Sequence, residues 1–292
     1  MRINKNSIAL SGIVALTLML MPSCVETTNV DENNGIESEM DEITENLEFI
    51  DSKRALLVES IIRSSPTIAE SGQIFAEIGT DFDRTFLNDI KNITNYVTIK
   101  DQGINLGIYL SDLGYITAFD QTQEIIFYMN CSKKMAEGIG VSDVFNEETI
   151  ERMEMNINDK DSIINLIAEM YWKTDAFLKE LGRENISAMI ICGAWVEGMY
   201  IGTQLMDDNA DSDILYEKMI SQKENLDKIL SLLETFEGDE KILFYKEKLN
   251  EIQTHFNNIE SENTEEVTED QKAELKLLAQ KIEVLRQEMT TV

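Results

Sequence analysis

The stretch ISAMIICGAWVEGMYIGTQ, residues 186–204, decides how this chain is read. It is apolar on every side and carries a small residue at every fourth position: Ala194, Gly198 and Gly202. A helix that is hydrophobic all round belongs in a membrane or in the middle of a protein. Glu197 at its centre and Gln204 near its end argue against lipid, where a charged side chain is costly. The stretch therefore reads as a buried core helix. A second segment is built the same way. GINLGIYLSDLGYIT, residues 103–117, repeats Gly103, Gly107 and Ser111 at the same spacing, with Gly114 one short turn later. Glycine inside a helix costs about 1 kcal/mol relative to alanine. Close approach of two backbones is the gain that offsets it. The two helices are predicted to lie side by side at the centre of the domain. Gly198→Leu is then expected to lower thermal stability sharply.

The surrounding chain has the same helical character. Proline occurs only at Pro22 and Pro66. Residues 47–63 place Leu47, Ile50, Leu56, Leu57, Ile61 and Ile62 at roughly helical spacing. Asp120, Asn146, Asp159 or Asp161, and Asn185 stand where N-caps are expected, and Gly138 and Gly182 where helices stop. Three charged helices follow near 212–236, 239–259 and 266–290. In the last, Leu275, Leu278, Ile282, Leu285 and Met289 alternate steps of three and four, a narrow seam that predicts packing within the chain. No alternating pattern runs longer than Thr94 to Ile99. The expected fold is all-α: a multi-helix bundle with two glycine-ridged central helices and charged C-terminal helices.

Upstream lies an address. Arg2 and Lys5 precede an uncharged, largely apolar run from Ile8 to Met21, which fits a signal peptide and is short for a membrane span. It ends in Met21-Pro22-Ser23-Cys24, which resembles a bacterial lipobox. The resemblance implies cleavage before Cys24 and lipid on its sulfur and amine. Val25 to Glu45 holds eight acids and no base, an extended, self-repelling tether by composition. It loosely resembles the surface-export signals of Bacteroidota lipoproteins. Four parts follow: a signal peptide (1–23), an acidic lipid-anchored tether (24–46), a helical core domain (47–206), and charged helices packing on it (207–292). Val25 after the lipid cysteine favours the outer membrane, facing the periplasm or the cell surface.

The segments NLGIYLSDLGYI, SKKMAEGIGV, INDKDSIINLIAEMYWKT and AMIICGAWVEGMYIGTQL resemble a family of uncharacterised Bacteroidota lipoproteins, over roughly residues 100–206 plus the signal. That resemblance implies a helical, envelope-anchored protein and supplies no catalytic residues.

The net charge of −30 disfavours nucleic acid and anionic lipid heads as partners. The single histidine, His255, excludes paired-histidine metal sites. Asp112 and Glu197 stand out as acids inside otherwise apolar helices. Brought together they could share a proton or bind a small ligand or cation. The plainer reading makes them tie-points for Tyr109, Tyr115, Tyr200, Trp195 or a lysine. A pocket between the ridged helices would favour the ligand reading, and a filled seam the structural one. Cys131 and Cys192 are left to pair in an oxidising envelope or to remain buried thiols. Tyr171-Trp172 and Trp195 fit core packing better than an aromatic pocket. No nucleophile elbow, phosphate loop, cofactor motif or metal motif is present. The expected function is a non-enzymatic structural or interaction module at the outer membrane, held by lipid on Cys24 and acting on a protein partner.

Overall fold

The computed structural model describes residues 32–64, 79–208, 213–259 and 267–291. The signal segment and Cys24 lie outside them. Contacts divide the chain into two compact units, Met1–Leu47 and Glu48–Val292. Helix α1, Glu32–Ser64, runs through that boundary. The acidic segment is thus helical backbone from Glu32 onward rather than an extended tether. Low hydrophobicity denies a segment a core of its own, but glutamate, methionine and leucine still favour a helix. In the second unit α1 buries Val58 and Ile61 and leaves Leu56 exposed. Arg54 fastens it by donating from Nη2 to the Thr235 carbonyl (2.6 Å) and from Nε to the Thr235 hydroxyl (3.0 Å).

The rest of the second unit follows as α2 (Ile99–Ala118), α3 (Thr122–Ile139), α4 (Glu147–Met155), α5 (Lys160–Glu180) and α6 (Glu184–Asp208). Then come α7 (Asp213–Ser221), α8 (Lys223–Leu233), α9 (Glu240–Asn258) and α10 (Glu269–Thr290). Short 3₁₀ turns occupy Arg84–Phe86, Ile90–Thr94 and Ser142–Phe145. No strand occurs among the described residues, so the alternation at Thr94–Ile99 becomes the entry to α2.

Helices α2 and α6 form the most extensive helix pair; α3 covers α2, α10 covers α6, and α9 packs on α10 and α8. From Gly103 to Thr117 every residue except Ser111 is buried. Helix α6 is long and apolar enough to cross a membrane, but 78% of its apolar stretch is buried inside the protein. The two backbones meet where glycine permits. A Cβ on Gly107 would collide with the Ile190 carbonyl and come within 2.9 Å of the Ala194 amide; one on Gly193 would collide with the Ile104 carbonyl. Gly103 abuts Ile186, and Gly202 abuts Met219 of α7.

The expected ridge on α6 needs correction. Gly193, outside that ridge, packs directly on the Ile104 carbonyl of α2. A Cβ on Gly198 would meet only the Ser111 hydroxyl, at 3.7 Å, so the sharp loss expected for Gly198→Leu has no steric basis at its first carbon. A helix apolar on all sides carries no phase in its hydrophobic pattern, so spacing alone could not choose between adjacent faces.

Local signals fared better where chemistry is local. Asn146 and Asp159 cap α4 and α5, accepting from the Thr149 and Ser162 amides. Gly182, at φ +63°, follows α5. Asp120 is instead a left-handed turn residue (φ +55°) between α2 and α3, and Gly140, not Gly138, ends α3. Asn185 lies inside α6 and donates to Asp239 (3.1 Å). The first charged helix is broken near Gln222 into α7 and α8. The α10 seam is fully intramolecular: Leu275, Leu278, Ile282, Leu285 and Met289 are all buried. His255 of α9 sits 2.7 Å from Glu274 of α10 and ties those two helices together.

Candidate functional site

Asp112 on α2 and Glu197 on α6 are both completely buried, and the helix pairing brings them into interaction. Between them and the surface stands Arg286 of α10. It is the e-position residue beside the buried α10 seam, and its side chain is only 12% exposed. Its guanidinium donates from Nε to Glu197 Oε2 and from Nη2 to Oε1, both at 2.7 Å, a bidentate fork. Nη2 also donates to the Phe86 carbonyl (3.0 Å), and the Tyr200 ring covers the guanidinium at 4.0 Å. Burial alone would lower the Arg286 pKa, but the Glu197 carboxylate outweighs it and holds the group more firmly protonated than usual.

Asp112 is held differently. Its Oδ2 accepts from the Asn88 amide (3.2 Å), while Oδ1 meets no amide, hydroxyl or guanidinium donor. Burial first, and the charge of Glu197 second, raise its pKa well above the usual carboxylate range. Protonated, Asp112 becomes a donor, and the acceptor beside it is Glu197. One proton and one guanidinium then serve two carboxyl groups, leaving no net charge in the core.

A polar layer extends outward from this centre through Asn88. Its Nδ2 donates to Tyr96 (3.0 Å) and to Asn105 (3.2 Å), and its carbonyl accepts from the Tyr128 hydroxyl (2.9 Å). The Tyr96 hydroxyl reaches the Thr290 carbonyl (3.2 Å), and Asn105 the Met289 carbonyl (3.0 Å), so the end of α10 is knitted to α2. Burial raises the tyrosine pKa values, that of Tyr96 to about 12.

The sequence reading named the two acids but neither Arg286 nor Asn88 as their partners. Tyr109 and Tyr115, offered as donors to them, bond backbone instead, at Asp89 and Asp83. The signal for Arg286 was available: a lone arginine flanking a seam in which Ile282, Leu285 and Met289 are buried. Arg286 stands against Glu197 where a bound cation would have to sit. Among the described residues no group of three or more histidine, cysteine or acidic side chains could hold a metal ion. Cys131 and Cys192 are both buried free thiols, not a disulfide. Burial pushes their pKa values up to about 11 and about 12. That leaves them protonated and poor nucleophiles.

One position from each acid, at Ser111 before Asp112 and Gly198 after Glu197, about 100° round the axis, the seam opens. A cavity of about 350 Å³ lies against α1, α2, α5, α6 and α7. Ser111 and Gly114 line it from α2, Ala194, Gly198 and Gly202 from α6. Trp195 belongs to the buried core and Tyr171 packs against it, and both also line the cavity, whereas Trp172 is absent from the wall and 37% exposed. Part of the predicted ridge is therefore wall, not contact.

No family model matches the chain, and neither a curated protein nor a solved structure matches it.

Proposed function

We propose that this chain is a lipid-anchored helical module of the outer membrane, facing the periplasm or the cell surface, that works by holding a protein partner rather than by catalysis. The observation that carries the reading is the order of the N-terminal signals: basic start, short apolar run, small residue, Cys24. Two or three acyl chains on Cys24 would hold it firmly, since each buried methylene contributes about 0.8 kcal/mol. The state of the acids supports a non-catalytic role. Glu197 is paired with Arg286, and neither Glu197 nor Asp112 has any exposed surface. The net charge of −30 favours a partner with a basic face.

Fractionation with mass spectrometry of the natural protein tests this. The expected result is a membrane-bound chain beginning at an acylated Cys24, and a Cys24→Ala variant that leaves the membrane fraction. A native chain without lipid would refute the proposal. Calorimetry with calcium, magnesium or manganese is expected to give identical heats for wild type, Asp112→Asn and Glu197→Gln. A heat lost in either variant would favour the cation-binding reading.

A further inference from the structure

We propose that the cavity beside Ser111 and Gly198 is a binding site for an uncharged, mostly apolar small molecule carrying one hydrogen-bond acceptor. The inference is independent of the lipid anchor. The volume of about 350 Å³ falls in the range of small-molecule sites, roughly 300–1,000 Å³. The wall is pared down from three helices: Ser111 and Gly114, Ala168 of α5, and Ala194, Gly198 and Gly202. Gly198 is exposed in the middle of a largely buried helix, and among the described residues nothing but the Ser111 hydroxyl lies near the place of its missing side chain. A helical glycine weakens its helix, and here no close backbone contact is gained in return. What the glycine preserves is room.

The polarity of the ligand follows from the wall. No acid lines it among the described residues, so a cation would find no counter-charge. Lys218, the one charged side chain among the described wall residues, already has an interaction of its own. The charge of −30 repels free anions. Tyr171 is also committed, donating to the Gly107 carbonyl at 3.3 Å. Trp195 is not. It is 9% exposed, it belongs to the wall, and its indole N–H finds no acceptor among the described residues. An unpaired buried donor is unfavourable, and a ligand carbonyl or ether oxygen would relieve it.

The test is titration of the full chain with prodan, a neutral naphthalene dye whose carbonyl is the acceptor and whose emission moves to the blue in apolar surroundings. Wild type is expected to bind it saturably, with quenching of tryptophan emission. Gly198→Leu fills the cavity and is expected to weaken binding at least tenfold while retaining wild-type helicity; Ala168→Leu serves if that variant does not fold. Trp195→Phe keeps the apolar wall but loses the N–H. It is expected to weaken prodan severalfold and leave naphthalene, which has no acceptor, unaffected. Absence of saturable binding, or equal affinity in the cavity-filled variant, overturns the site. Equal prodan affinity in Trp195→Phe overturns the acceptor.

Discussion

Arg286→Met removes the guanidinium and keeps an apolar stem of similar reach against Tyr200. It deletes two charge-assisted bonds of 2.7 Å to Glu197 and one of 3.0 Å to the Phe86 carbonyl. Glu197, with no exposed surface, is left without a counter-charge beside another acid. Removing one partner of a buried ion pair costs about 3–5 kcal/mol. With a urea m-value of about 3 kcal/mol/M, the unfolding midpoint is expected to fall by roughly 1–1.7 M at pH 8. Glu197→Gln combined with Arg286→Met removes both charges and is expected to recover most of the loss. A single variant within 0.5 kcal/mol of wild type at pH 8 would refute the reasoning, since the pair could then not be desolvated.

Asp112→Asn tests the shared proton. The Asp112 pKa is raised in the folded state, so the fold holds that proton more tightly than the unfolded chain, and stability falls as pH rises from about 3.9 through the folded value, by at most about 1.4 kcal/mol per pH unit. The amide does not titrate, so the variant is expected to lose this slope and to exceed wild type at alkaline pH; an unchanged profile of midpoint against pH contradicts it. Cys131 and Cys192 are expected to resist an aromatic disulfide reagent at pH 8 in the native protein and to react fully in denaturant. Rapid native labelling would show that they are not buried.

Local chemistry was legible in the sequence. Side-chain caps at Asn146 and Asp159 and the α10 seam need only a few neighbouring residues, and the structure has each of them. The pairing of α2 with α6 was legible too, because two glycine-bearing helices with no polar face have nowhere to go but against each other. Orientation was not. Gly193 and Gly198 lie on different faces of one uniformly apolar helix, and only the packed neighbours distinguish them. The partner of Glu197 was hidden by distance, since Arg286 is 89 residues away and looks like an ordinary surface arginine. Asp120 misled because aspartate suits both an N-cap and a left-handed turn.

The central claim is that the two glycine-bearing helices touch on one face and part on the next. Alanine at Gly107 and at Gly198, compared in one urea-unfolding experiment, tests it most directly. The Gly107 variant forces a Cβ into the Ile190 carbonyl and should lose about 1–3 kcal/mol or more. The Gly198 variant makes only an ordinary contact with the Ser111 hydroxyl and should gain up to about 1 kcal/mol from helix propensity. Equal losses at both positions, or a loss confined to Gly198, would contradict the arrangement.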